Sequence, residues 1–316
     1  MQNKTWTTRD IPNLSGKVAI ITGANSGLGF ESALEMARKG ATVILAVRNL
    51  GRGRAALDKI TTELEGGSLE QMKLDLSDQE SIKQFVNDFN QKYDRLDILL
   101  NNAGIMAVPQ GKTAQGFELQ LGVNHLGHFA LTGLLMDKLL STPGSRVVNV
   151  SSKAANGGKM NFDDLMSEEK YSPIGAYSQS KLANLLFTFE LQRRLEEVGA
   201  GTIALAAHPG GSKTNLANAS DFGPFFRFIM NNFMMKLVQE AEKGALPQLF
   251  AATAPDAKPA QYYGPNGFME MRGSHPKEAD IPSQALNAED ARKLWEISEK
   301  LTAVSYGFLE KKPSLI

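Results

Sequence analysis

The chain is 316 residues long, carries 34 basic residues against 34 acidic ones, and contains no cysteine. That length suits one large domain or two small ones with an extensive core. Zero net charge without a basic run argues against nucleic acid or an anionic membrane surface and leaves small molecules as the expected partners; the missing cysteines exclude disulfides, cysteine-ligated zinc, iron–sulfur clusters and thiol nucleophiles.

Residues 1–14 read as a polar N-terminal extension with Lys4 and Arg9 and no apolar run of signal or membrane-spanning length, so no integral membrane segment and a cytoplasmic location are expected. From there to about residue 210, short β-branched runs alternate with long amphipathic stretches, the signature of a parallel sheet covered by helices. Strands are expected at 17–22, 42–47, 70–75, 96–101, 146–151 and 202–207. Asp78, Ser81 and Phe85 open one helix, residues 113–140 contain another, and 176–198 form a third. Val18 to Ile21 and Ile98 to Leu100 are apolar on successive residues, which fits strands buried on both faces. The expected fold is α/β, a Rossmann-type doubly wound parallel sheet forming a single domain over residues 15–316.

After Gly210 the pattern changes. Phe222, Phe225, Phe226, Phe228, Met230, Phe233, Met234 and Met235 crowd into one connection. Residues 211–244 are therefore expected to form a helical lid over an apolar substrate, since Met and Phe suit adaptable apolar pockets; ordinary helical cover for the core is the alternative. The C-terminal part adds a strand candidate at Tyr262-Tyr263 and an amphipathic helix near 288–301, expected to be structural and to close one side of the pocket.

Three local patterns carry chemistry. The first strand runs into Thr22-Gly23-Ala24-Asn25-Ser26-Gly27-Leu28-Gly29, and a helical pattern follows from Phe30. Glycines at such a turn let backbone approach a pyrophosphate, and the helix N-terminus offers free N–H groups with a favourable dipole. At the end of the second strand, where a carboxylate would take the ribose hydroxyls of NAD, stand Val47 and Arg48. A guanidinium matches a phosphate bidentately, so Arg48, with Asn25 or Ser26, is expected to grip the 2′-phosphate of NADP(H). Third, of six tyrosines only Tyr177 has a lysine four residues on, Lys181. On a helix the two share a face, and an ammonium beside the phenol would favour phenolate and pull a pKa of about 10 downward.

These runs, together with Asn101-Asn102-Ala103-Gly104, the Ser151-Ser152 pair that follows Val150, and His208-Pro209-Gly210, resemble the short-chain dehydrogenase/reductase family in order and at plausible distances over residues 15–215. The stretches from Leu121 to Phe129 and from Tyr177 to Asn184 are similar to the branch with retinol dehydrogenases, WW-domain oxidoreductase and protochlorophyllide reductase. The resemblance implies that Tyr177 is the general acid/base and that Lys181 lowers its pKa and bonds the nicotinamide ribose. It implies that Ser152 polarises the substrate carbonyl and that Asn124 anchors a water continuing the proton relay. Asn101, Ala103 and Gly104 would wall the adenosine pocket, Asp75 and Leu76 would meet the adenine, and Pro209, Gly210 and Thr214 would shape the nicotinamide site.

The gap between Ser152 and Tyr177 is longer than is usual in the family, and the polar extra segment 156–171 is expected to form a loop or short helix at the mouth of the site. His125 and His128 are expected to be packed rather than catalytic, since their i,i+3 spacing has no third metal ligand, and no metal site is expected. The sequence thus points to an NADP(H)-dependent oxidoreductase acting on the carbonyl or alcohol of an apolar small molecule, retinal-like, steroid-like or another lipophilic aldehyde or ketone. A non-catalytic NADP(H)-binding sensor on the same fold is the rival reading; a light-dependent reductase of the protochlorophyllide type is disfavoured by the missing cysteine. Many family members pair through the helices that here hold Asn124 and Tyr177, which leaves homo-oligomerisation open.

Overall fold

The structure, a computed structural model, describes residues 5–64, 67–211 and 239–307. Eight strands form one sheet in the order β3-β2-β1-β4-β5-β6-β7-β8. In chain order the elements are β1 (Val18–Thr22), α1 (Gly27–Arg38), β2 (Thr42–Val47), α2 (Leu50–Thr61), β3 (Ser68–Lys73), α3 (Gln79–Lys92) and β4 (Ile98–Asn101). Then come α4 (Leu119–Leu121), α5 (Gly127–Leu134), α6 (Met136–Leu140), β5 (Arg146–Val150), α7 (Pro173–Glu197) and β6 (Ile203–Ala207). The described chain closes with α8 (Ala241–Thr253), β7 (Tyr262–Pro265), β8 (Pro276–Glu278) and α9 (Ala288–Thr302). β1 to β7 pair in parallel and β8 returns antiparallel to β7.

The period of two along each strand divides the core into two layers. Ala19 and Ile21 of β1 pack with Val43, Leu45, Leu100 and the inner faces of α1 and α8. Ile20 packs on the other side with Ile44, Leu99, Val147, Phe85 of α3, Phe129 of α5, Phe187 of α7 and Trp295 of α9. Both faces are covered, which is why these strands read as continuous apolar runs. β3 lies two residues earlier than expected. It is the sheet's edge, where Glu70 and Gln71 stay half-buried and a polar strand is tolerated. α7 also starts earlier, because Ser172 caps it through the N–H of Gly175 and Pro173 opens it.

Between β1 and β4 the chain order reverses, and the crevice at the carboxyl ends of those strands is where an open α/β sheet binds ligands. Most of the expected 211–244 lid lies outside the described residues, as does Thr214. The described chain resumes at Gln239, whose N–H donates to the carbonyl of Gly211 at 2.7 Å. The expected insert, 156–171, contains no α-helix; a 3-10 turn at Lys153–Gly157 runs into its first two residues. It is bound to the loop after β4: Lys112 pairs with Glu168, and the Tyr171 hydroxyl donates to the Val108 carbonyl at 2.8 Å.

Candidate active site

β1 ends in Thr22, which joins three elements. Its Oγ1 accepts the N–H groups of Asn102 and Ala103, each at 2.9 Å, and lies 2.9 Å from His128 Nε2. The turn that follows needs glycine for two reasons. Gly23 and Gly27 have φ of 68° and 56°, in the left-handed region. At Gly29 a Cβ would stand 2.6 Å from the Gly23 carbonyl and from Asn102 Nδ2, so the helix approaches the turn more closely than any side chain permits. Ser26 precedes α1 without a side-chain cap, leaving the first-turn N–H groups for an anion.

These residues line a cleft of about 230 Å³. Gly23, Asn25, Ser26, Gly27, Leu28, Gly29, Arg48, Asp75, Leu76, Ala103 and Gly104, all named from the sequence, line it together. Asp75 is held in place by accepting the N–H and hydroxyl of Ser77 at 3.0 and 2.6 Å.

Asn101 is a correction. It is 1% exposed and turns into the sheet, where its Nδ2 donates to Thr132 Oγ1 at 3.0 Å and to Asn149 Oδ1 at 2.8 Å. Asn102 lines the cleft instead. Side chains alternate along a strand, so a step of one residue exchanges the sheet interior for the cleft. Arg52 is a second residue that the motif reading missed: it lines the cleft together with Arg48 and Asn49. Asn49 accepts the Arg52 N–H at 3.0 Å and caps α2, and both arginines are exposed. No helical phase could have flagged Arg52, since Arg48 precedes the extended cap Asn49 and Arg52 lies in the first turn of α2.

The reacting groups stand on the neighbouring elements. α7 presents Tyr177 and Lys181, both buried, with Lys181 Nζ 5.8 Å from the phenol ring centroid. Lys181 Nζ donates to the Val150 carbonyl at the end of β5 at 3.0 Å. Ser152, two residues beyond that strand, starts the 3-10 turn, and its hydroxyl is near enough to the Tyr177 phenol to pull its pKa down. Gly104 joins this group to the cleft: a Cβ there would lie 3.1 Å from Asn124 Oδ1 and 3.3 Å from Lys181 Nζ. A side chain there would crowd both groups, which the bare Cα avoids.

Asn124 occupies a π turn, Gly122–Leu126, between α4 and α5. Its side chain is committed. Oδ1 accepts the Ile105 N–H at 2.8 Å, and Nδ2 donates to the Ile105 carbonyl and to Ser180 Oγ, both at 2.9 Å. Its carbonyl lies 3.0 Å from His128 Nδ1. A carbonyl can only accept, so Nδ1 carries the proton and Nε2 accepts from Thr22. His125 and His128 are each 1% exposed, and burial pulls them down to about 3 and about 4, so both are neutral packing groups.

Pro209 and Gly210 follow β6 and stand outside the lining of this cleft. Gly210 has a φ of 64°, and a Cβ on it would meet the Met271 carbonyl at 2.5 Å.

The electrostatics depart from expectation at Tyr177. Burial pushes its pKa up, against the opposing influence of the Ser152 side chain. Lys181 is pulled from about 10.5 to about 8, also by burial. In this packed corner the cost of burying phenolate outweighs the lysine, whose ammonium is directed at the Val150 carbonyl and the ring.

With this geometry in view, the family profile described as short chain dehydrogenase matches residues 17–222. Human retinol dehydrogenase 12 is 41% identical over 295 residues, covering 93% of this chain and 88% of the relative. Mouse retinol dehydrogenase 14 is 39% identical over 303 residues, covering 92% and 87%. Among solved structures, an uncharacterized protein from Mycobacterium paratuberculosis superposes with a TM-score of 0.80 at 43% identity, covering 96% of this chain and 99% of that one. A short chain dehydrogenase from Shigella flexneri 2a complexed with NADP superposes at 0.61 with 25% identity, covering 79% and 97%.

Proposed function

Because the chain belongs to the short-chain dehydrogenase family, we propose that it is an NADP(H)-dependent oxidoreductase exchanging hydride between nicotinamide and the carbonyl or alcohol of an apolar small molecule. The observation that carries the reading is the buried Tyr177 with Lys181 Nζ 5.8 Å from its ring and the Ser152 side chain acting on the phenol, joined through Gly104 to the glycine-lined cleft. The relatives' name supports the substrate class: several are retinol dehydrogenases.

The residues fit a dinucleotide. The uncapped first turn of α1 and the left-handed Gly23 and Gly27 suit a pyrophosphate, Asp75 and Leu76 suit the adenine, and Ala103 and Gly104 complete that wall. Arg48 and Arg52 favour NADP over NAD, since two guanidiniums lining the cleft suit a 2′-phosphate and the end of β2, Val47-Arg48, carries no carboxylate for free ribose hydroxyls. Pro209, Gly210 and Thr214 are the residues assigned to the nicotinamide end. Bound there, the cofactor supplies the hydride.

The protein supplies the proton and the polarisation. Hydride addition to a carbonyl builds alkoxide character on its oxygen, and donors at that point lower the barrier. Ser152 Oγ donates to the oxygen and Tyr177 delivers its phenolic proton. A raised Tyr177 pKa keeps the phenol protonated at neutral pH, which favours carbonyl reduction; alcohol oxidation needs the phenolate and gains as pH rises. Lys181 supplies positive charge beside the ring and binds the ribose. Asn124 fixes Ile105 and Ser180 and is the residue assigned to the proton relay leading away from Lys181.

The test is loss of NADPH absorbance over a panel running from retinal-like and steroid-like carbonyls to small charged ones, repeated with NADH. Turnover of the lipophilic members with NADPH is expected. Turnover confined to small charged carbonyls contradicts the apolar reading, and turnover with NADH alone contradicts the cofactor assignment.

A further inference from the structure

We propose that Glu270 is a positioning residue for this site: its buried carboxylate ties the Ser152-Lys153 corner to the His208-Pro209-Gly210 turn and thereby keeps the Ser152 hydroxyl against Tyr177. The inference rests on Ser152 and Tyr177 as reacting groups. It starts from an oddity of place. A glutamate 3% exposed, in a short turn between β7 and β8, has no need of burial for its own sake.

The carboxylate is approached by polar groups from three separate stretches of chain. Oε2 accepts from Lys153 Nζ at 2.8 Å and lies 3.3 Å from His208 Nε2. Oε1 accepts from Lys277 Nζ at 3.0 Å and from the Asp280 N–H at 3.1 Å. Burial alone would raise its pKa, but these partners outweigh burial and hold the carboxyl well below the usual range. Lys277 closes the cluster from the solvent side, while Lys153 and His208 connect inward.

Those inward partners adjoin the site on two sides. Lys153 follows Ser152 directly, and the 3-10 turn it begins is capped by the Ser152 hydroxyl, which accepts the Ala154 N–H at 3.2 Å. A displaced Lys153 therefore moves the hydroxyl that must meet the substrate. On the other side, the His208 ring stands 5.0 Å from the Tyr262 ring, and a Cβ on Gly264 would lie 2.1 Å from its Nε2, so the imidazole is boxed in. The Gly211 N–H donates to the Met271 carbonyl at 2.7 Å, and Gly210 leaves room for the Glu270 and Met271 carbonyls only by lacking a Cβ.

The backbone adopts a disfavoured shape to deliver this carboxylate. Met269 and Glu270 have φ of 50° and 58°, two successive non-glycine residues in the left-handed region. Such geometry persists where surrounding contacts enforce it, and it clusters beside working sites. Glu270 itself is assigned no contact with substrate or cofactor, so it acts through Lys153 and His208.

Glu270→Gln keeps the size and removes the charge. The expected result is a fall of about tenfold or more in kcat for carbonyl reduction, with the Kd for NADPH changed less than about threefold. In a Ser152→Ala background the same change should cost less than about twofold, because the hydroxyl whose position it sets is gone. Hydrogen exchange gives a readout independent of any substrate: backbone amides over residues 152–158 and 208–211 should exchange faster in Glu270→Gln. An equal fold-loss in both backgrounds, or unchanged exchange in both segments, overturns the proposal. Lys153→Gln, measured in the same three ways, decides it if Glu270→Gln does not fold. A wild-type protein that reduces no carbonyl defeats the proposed function, and the exchange comparison then still decides whether Glu270 holds the two segments.

Discussion

Replacing Arg48 by alanine probes the cofactor assignment where sequence and structure meet. Arg48 and Arg52, on either side of the α2 cap Asn49, both line the cleft and are exposed. A charge-assisted contact to phosphate is worth about 1.5–3 kcal/mol when sheltered, and exposure with salt screening reduces that to about 1–2 kcal/mol for each arginine. Arg48→Ala should therefore raise the Kd for NADPH by about 5- to 30-fold, because about 1.4 kcal/mol is a factor of ten. The Kd for NADH, which has no 2′-phosphate, should change less than about twofold by the same reasoning. With Arg52→Ala added, preference for NADPH should fall further. Fluorescence titration of both reduced cofactors at two salt concentrations reads this directly, and the NADPH advantage should shrink with salt in wild type and hardly at all in the double variant. An NADPH/NADH ratio unchanged by Arg48→Ala would refute the phosphate role.

Two further substitutions test the packing that supports the site. Gly29→Ala places a methyl 2.6 Å from the Gly23 carbonyl, so the turn must open; thermal melts should show a loss of about 1–3 kcal/mol, and cofactor affinity should fall with it. Unchanged affinity would mean that this turn does not hold the pyrophosphate. Lys181→Met removes a buried ammonium whose pKa falls from about 10.5 unfolded to about 8 folded. Between those values the unfolded chain binds more protons, so the wild-type penalty is fully present below pH 8 and relieved as pH rises toward 10.5. That drop corresponds to about 3 kcal/mol, partly offset by losing the bond to Val150, so Lys181→Met should gain about 1–3 kcal/mol at pH 7 while losing turnover. Urea unfolding at pH 7 and pH 10 should show a smaller rise with pH than in wild type; an identical rise would place the lysine outside the buried corner.

The site was legible where its chemistry is local. The glycine turn, Arg48 and the Tyr177–Lys181 pair each lie within one element boundary or one helical turn, and backbone geometry follows directly from such spacing. Strand assignment worked for β1 and β4 because burial on both faces leaves an unbroken apolar run. It slipped at β3 because an edge strand needs no such run. Asn101 and Asn102 could not be separated, since their roles depend on which face the last strand residue presents, and identical side chains carry no mark of that. The direction of the Tyr177 shift was out of reach for another reason. Spacing shows that a lysine is near, while burial, which only the folded chain sets, decides the balance. Glu270 was invisible because its partners come from residues 153, 208, 277 and 280, and only the folded chain brings them together.

The central claim is that Tyr177 delivers the proton that accompanies hydride transfer. Tyr177→Phe keeps the ring packed over Lys181 and removes only the hydroxyl that meets Ser152. Single-turnover oxidation of bound NADPH by a lipophilic carbonyl, measured beside the Kd for NADPH, isolates that loss. The expected result is a Kd within about twofold of wild type and a rate lower by about 10²–10⁴-fold, the range general acid catalysis supplies. A rate within about threefold of wild type would remove Tyr177 from the chemistry and the account with it.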